Sequence, residues 1–131
     1  MNVGTCSQSL SEASLHLTPG HAQIERLVGE ILSIPRSHTA EQRALWLPLA
    51  AILVAHLDEE ERHLIPVLLG LDARAAKGLV FEHRHLRSRV AELDAKFVRG
   101  ALDASGLRGF AEEVLAHHRH ELAVLERHAI A

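Results

Sequence analysis

The residues best suited to chemistry in this chain are histidines, of which there are eleven among 131 residues, and the glutamates spaced regularly beside them. Two pairs share the spacing HxxxE: His56 with Glu60, and His117 with Glu121. A separation of four residues places both side chains on one face of a helix. Imidazole nitrogen and carboxylate oxygen without thiolate suit iron or manganese, with zinc or copper possible by affinity. The pairs are therefore candidate metal ligands.

The histidines also recur at positions that should face a helical core. Core residues of packed helices recur at alternating steps of three and four. The inward-facing sets predicted for four helices are Leu17, His21, Ile24, Val28 and Ile31; Leu45, Leu49, Ile52, His56, Glu60 (or Glu59), His63 and Val67; Leu79, His83, Leu86, Val90, Leu93 and Phe97; and Phe110, Val114, His117, Glu121 and Val124. Each set contains a histidine, and an unpartnered polar group in such a core costs roughly 2–7 kcal/mol.

Neighbouring registers offer alternatives to some of these positions. In the fourth helix, His118 and Leu122 could face the core instead of the HxxxE pair. In the third, His85 competes with the chosen histidine but falls off the apolar face, and in the second, Glu59 is the alternative carboxylate. His63 lies further along the second helix and is expected to hydrogen-bond rather than bind metal.

The elements that must position these residues are helices, because the apolar residues are mostly aliphatic and only four residues are aromatic. The first helix is predicted to start at Thr18 and Pro19 and to stop before Pro35. A second should start with a capping box of Thr39 and Gln42.

The second helix is predicted to continue to about Leu69, with a kink or split at Pro48 and a late Pro66. A third should run from a cap at Asp72 to Arg99, before Gly100. The fourth should start at Asp103 or Ser105 and run to the C-terminus.

Short connections make consecutive helices antiparallel neighbours, so the predicted fold is an all-α, up-down-up-down antiparallel four-helix bundle. Residues 1–17 are Ser-rich and predict an N-terminal arm, with residues 18–131 forming the bundle. Measured from the predicted loops, the six candidate ligands span roughly eight residues along the axis, or about 12 Å. They are His21, His56, Glu60, His83, His117 and Glu121. One pocket can therefore hold all six.

Four imidazoles and two carboxylates are more donors than a tetrahedral zinc site takes. If both carboxylates bridge a metal pair, each metal keeps about two imidazoles and an open position. This donor set therefore favours two metal ions over one.

Composition excludes several classes of function. The net charge is −3 and basic residues alternate with acidic ones, so nucleic-acid binding is not expected. We find no uncharged stretch long enough to cross a bilayer, so a cytoplasmic protein without membrane contact is expected. The single Cys6 has no partner for an internal disulfide and is expected to be a bystander.

With these residues the chain resembles the hemerythrin-like, or HHE cation-binding, family. The matching segments are GHAQIERL with His21, AHLDEEERHLIPVL with His56 and Glu60, EHRHL with His83, and AHHRHEL with His117 and Glu121. The resemblance covers nearly all of the chain from Thr18 onward. It implies two non-haem irons, with manganese or zinc as substitutes, and a role in oxygen binding, in oxygen, redox or nitric oxide sensing, or in iron handling. A small diatomic molecule or peroxide would be the ligand.

The sequence differs from that of oxygen-carrying hemerythrins at two positions. Arg87 stands where those proteins have a fifth histidine, and Leu122 stands where they have an aspartate. The resemblance therefore implies a site with four histidines that is not suited to reversible oxygen carriage.

Three alternatives stay open beside a binding or sensing module. The first is a di-iron redox enzyme that reduces oxygen, peroxide or nitric oxide. The second is a ferritin-like carboxylate bundle, because Glu60 to His63 and Glu82 to His85 both have the spacing ExxH. The third is a metal-free bundle whose buried histidines respond to pH.

Overall fold

The part of the chain that the structure describes consists of five α-helices. The structure is a computed structural model and describes residues 10–128, with side chains from residue 20 onward. The helices are α1 Leu10–Ser33, α2 Thr39–His63, α3 Ile65–Leu71, α4 Ala73–Val98 and α5 Ala104–His128. No strand occurs within residues 10–128, which confirms the all-α prediction. None of the described helices is long and apolar enough to cross a membrane.

α1 begins at Leu10, so the predicted start at Thr18 and Pro19 is wrong. Both residues lie inside the helix. The helix continues through the proline, although a proline cannot donate a backbone hydrogen bond. The division between an arm of residues 1–17 and the remaining domain stays a prediction, and Cys6 lies outside the described residues.

The predicted second helix is divided at Leu64 into α2 and α3, whereas Pro48 lies inside α2. Pro66 at the start of α3 explains the position of the break, because its missing N–H interrupts the helical hydrogen bonds there. Leu64 N donates to Glu60 O at 2.9 Å and Leu68 N donates to Leu64 O at 2.9 Å, so the chain continues without a loop.

The helix caps predicted at Asp72 and Asp103 are confirmed, whereas those predicted for the first two helices are not. Asp72 accepts a hydrogen bond from Ala75 N at 3.0 Å, and Asp103 accepts one from Gly106 N at 2.7 Å. The capping box at the start of α2 is wrong, because Gln42 Nε2 instead donates to the carbonyl oxygen of Ile34 at 3.3 Å. That hydrogen bond links α2 to the first residue after α1.

The core lies between helices that pack side by side. α1 packs on α2 and α5, α4 packs on α3 and α5, and α2 also contacts α4 and α5. The Trp46 and Phe110 rings meet edge to face with centroids 5.7 Å apart, and Trp46 Nε1 donates to Asp94 Oδ1 at 3.1 Å. The larger apolar cluster surrounds these rings, and a smaller one contains Ile65, Leu68, Ala76, Leu79 and Val124.

A polar level separates the two apolar clusters. On α5, Val114 belongs to the larger cluster and Val124 to the smaller one, with His117 and Glu121 between them. Along α4, His83 lies between Leu79 and Leu86 in the same way. The predicted ligands therefore lie between two apolar layers, where water is largely excluded and electrostatic interactions are strong.

Candidate metal centre

Four helices bring the six predicted ligands together. They are His21 from α1, His56 and Glu60 from α2, His83 from α4, and His117 and Glu121 from α5. Glu60 and Glu121 are completely buried, and three of the histidines are buried; the His21 side chain is 14% exposed. The donor atoms form two overlapping groups, each within 4.8 Å, that share the two carboxylates.

The two carboxylate oxygens of Glu60 lie beside different pairs of histidines. Its Oε2 lies 3.2 Å from His56 Nε2 and 3.4 Å from His21 Nε2. Its Oε1 lies 3.0 Å from His83 Nε2 and 3.9 Å from His117 Nε2. The carboxylate therefore stands between two pairs of imidazoles.

Glu121 has the same relation to the two halves. Its Oε1 lies 2.6 Å from His21 Nε2, and its Oε2 lies 3.6 Å from His117 Nε2. The centre thus consists of a His21–His56 half and a His83–His117 half, with two carboxylates between them.

Carboxylates outside the cluster fix the ring orientations of His83 and His117. His83 Nδ1 donates to Glu61 Oε2 at 2.7 Å, and His117 Nδ1 donates to Glu82 Oε1 at 2.7 Å. When these rings are neutral, the proton is on Nδ1, so each Nε2 presents a lone pair to the site. We did not predict these contacts, because both glutamates lie off the apolar positions and have no periodic signal.

Arg87 contacts this supporting layer. Its Nη2 donates to Asp58 Oδ1 at 2.7 Å and to Glu61 Oε1 at 3.0 Å. The guanidinium thereby holds the carboxylate that orients His83.

Several buried polar atoms of the cluster make no hydrogen bond within the described part of the chain, and these residues could hold a metal ion. Among the described residues, no hydrogen bond is made by the Nε2 atoms of His56, His83 and His117, by Glu60 Oε1 or by Glu121 Oε2. The atoms are close, but their directions do not form hydrogen bonds. Buried polar atoms without hydrogen bonds are costly, and metal coordination is a usual way to satisfy such a cluster.

Comparison with known proteins does not show to which family the chain belongs. No protein-family model, no curated protein and no solved structure matches this chain. The case for its function therefore depends on the geometry of this site.

The protonation of the cluster is also compatible with a metal site. Burial opposes protonation of His21, but Glu121 and Glu60 outweigh it and raise its pKa to about 9. The pKa of His117 is likewise raised to about 8 despite burial. Burial and the adjacent Glu60 raise the pKa of Glu121 to about 8, whereas Glu121 and the histidines hold the pKa of Glu60 well below its usual range. At neutral pH the metal-free cluster therefore retains protons that a metal would replace.

Two of the alternative residues lie outside the centre. The Glu59 side chain is 44% exposed and pairs with His63, 3.5 Å away, so Glu60 is the carboxylate that α2 contributes to the buried cluster. His85 is exposed and contacts Glu113 at 3.1 Å. Glu60 and His83 are therefore the buried members of the two competing pairs, as the sequence predicted for the core-facing positions.

The fourth helix differs from both proposed registers. His117 and Glu121 face the cluster, and Leu122 is 43% exposed, as the preferred register requires. His118 is nevertheless also buried, with its ring centroid 4.7 Å from that of His21. Burial, reinforced by neighbouring histidines, lowers the pKa of His118 to about 3. The two registers are therefore not exclusive, and the site contains an additional neutral imidazole.

Proposed function

We propose that this chain binds two non-haem irons in a hemerythrin-like, up-down-up-down four-helix bundle, in which α2 and α3 together form the second helix. The centre would serve oxygen, redox or nitric oxide sensing, or iron handling. The observation that carries the proposal is that Glu60 and Glu121 each direct one oxygen to either half of the site. Two imidazoles in each half complete a donor set for a metal pair.

The donor chemistry suits iron or manganese, and the resemblance to hemerythrin-like proteins makes iron the proposed metal. Each half offers two imidazole nitrogens and one oxygen from each carboxylate, without thiolate. Nitrogen and oxygen donors of this kind suit iron and manganese, and zinc by affinity. When bound, iron would supply redox chemistry and an open coordination position for a small diatomic molecule or peroxide.

A groove between α4 and α5 supports access of such a ligand. It has a volume of about 280 Å³ and is lined by Phe81, Glu82, His85, Leu86, Glu113, Ala116 and His117. Since His117 belongs to the cluster, the groove borders the His83–His117 half. A turnover assay with peroxide and a reductant would separate a sensing module from the alternative, a di-iron redox enzyme.

The ferritin-like alternative has less support. It requires Glu82 as a ligand, but the Glu82 side chain is 33% exposed. Its oxygens accept from the Nδ1 atoms of His117 and His120 instead of joining the central groups. Glu82 thus supports a ligand histidine from outside the cluster.

Anaerobic reconstitution with ferrous iron, followed by elemental analysis of the desalted protein, tests the proposal. The wild-type chain should retain close to two irons. Glu60→Gln should lose most of both, because the carboxylate serves both halves, whereas its neighbour Glu59→Gln should retain them. One tightly held zinc in place of iron, no retained metal, or equal losses in the two variants would contradict a di-iron centre. Failure to hold any metal would favour the metal-free, pH-responsive alternative.

A further inference from the structure

Among the residues whose side chains the structure describes, His118 is the one histidine buried at the site that the six-residue donor set does not include. It lies on α5 beside His117 and is 3% exposed. Neither of its ring nitrogens has a hydrogen-bond partner among the described residues. Leaving a buried polar group unpaired is costly, so apolar packing alone is a poor reason for an imidazole here.

The ring stands against the first half of the centre. Its centroid is 4.7 Å from that of His21 and 5.7 Å from that of His56. The three residues each offer a nitrogen, and these nitrogens lie within 4.8 Å of one another. Three converging imidazoles form a set of donors that a metal ion can take.

We propose that His118 is a fifth imidazole ligand and binds the same metal ion as His21 and His56. The inference rests on the proposed metal pair and adds a ligand to it. With both carboxylates, this metal ion has five protein donors, whereas the ion held by His83 and His117 has four.

The unequal halves determine where an external ligand binds. The ion with fewer protein donors has more open positions, and it lies on the His83–His117 side. The groove between α4 and α5 is lined by His117 on that same side. On this assignment, the His83–His117 half would keep more positions for an oxygen-, nitric oxide- or peroxide-type ligand than the His21–His56 half.

Proton NMR of the Co²⁺-loaded chain tests this assignment. A histidine bound to Co²⁺ through one nitrogen gives a strongly shifted, exchangeable signal from the N–H on the other, so signals present in H₂O and lost in D₂O count the bound imidazoles. The wild-type protein should show five. His118→Phe keeps an aromatic ring without donors and should show four, while the exposed His38→Phe should retain five.

The outcomes separate this inference from the function on which it rests. Two Co²⁺ per wild-type chain with only four signals, or five signals that survive in His118→Phe, would overturn the role of His118 and leave the metal pair standing. A wild-type chain that binds no Co²⁺ would overturn both. The wild-type count needs no variant, so it decides the matter even if His118→Phe does not fold.

Discussion

His83 Nδ1 lies 2.7 Å from Glu61 Oε2, and this contact turns the opposite nitrogen of the ring toward the centre of the molecule. That nitrogen, Nε2, lies 3.0 Å from Glu60 Oε1. Arg87 Nη2 donates to the other oxygen of this carboxylate, Glu61 Oε1, at 3.0 Å. A chain of contacts therefore runs from a partly exposed arginine to a buried candidate ligand, and it fixes the ring before any metal binds.

Replacing Glu61 should weaken metal binding although its side chain does not face the cluster. In Glu61→Gln the acceptor charge is lost and the ring orientation of His83 is less defined, so affinity should fall about 10- to 100-fold. Competition between the protein and a coloured chelator for Co²⁺ would measure the change. Glu59→Gln is the matched control, and the same loss there would show a general charge effect.

Removing the cluster histidines should reduce metal content. Each of three variants deletes a buried imidazole and therefore one candidate metal donor: His56→Ala, His83→Ala and His117→Ala. Each should hold less metal after reconstitution. His38→Ala alters an exposed ring and should remain near wild type. His128→Ala should also retain metal but lower thermal stability, since His128 Nε2 contacts the capping Asp72 at 2.9 Å. Equal metal losses in both groups would refute the choice of ligands.

Gly20 should be required for the position of His56. A Cβ atom at residue 20 would lie 2.7 Å from His56 Nδ1, so Gly20→Ala should displace the ring and lower metal content. Gly29 lies on the same helix with no heavy atom within 4 Å of such a Cβ. Gly29→Ala should keep full metal content and gain roughly 0.5–1 kcal/mol of stability from better helix propensity. Elemental analysis and thermal unfolding of both variants would test this contrast; unchanged metal in Gly20→Ala would contradict it.

Metal affinity should rise with pH from about 6 to 9. In the metal-free chain the pKa of His21 is raised to about 9 and those of His117 and Glu121 to about 8. These groups are protonated below their pKa values, and a metal ion must displace their protons, so raising the pH removes its competitor. Calorimetry in buffers with different ionisation enthalpies should show proton release at pH 7. An affinity that stays constant across this range would speak against these groups as ligands.

Oxygen should oxidise the reduced, iron-loaded protein irreversibly. The position one turn after His83 holds Arg87, whose guanidinium contacts Asp58 and Glu61 and supplies no neutral nitrogen to the centre. Optical spectra recorded after anaerobic reduction, admission of air and evacuation would test this. A visible band that appears in air and vanishes under vacuum over many cycles would identify an oxygen carrier instead.

The sequence by itself determined the helical class and most of the buried cluster of histidines and glutamates. Helical periodicity places side chains three or four residues apart on one face, so His83 and Glu121 could be assigned to the core without coordinates. The cap at Asp72 was also predicted, and Asp103 was one of two predicted starts of the fourth helix, because a side-chain oxygen before a helix satisfies a free backbone N–H. At Pro66 the sequence indicated an irregularity but not its position at Leu64.

Only the tertiary structure decided which other residues join the centre. Adjacent residues on a helix point about 100° apart, so periodicity made His117 and His118 exclude each other. α5, however, packs against α4 on one side and α1 on another, and both rings are buried there. The contacts of Glu61 and Glu82 with the outer nitrogens of two histidines likewise depend on how neighbouring helices are rotated about their axes. That rotation is set by packing across the whole core, which no single helix contains.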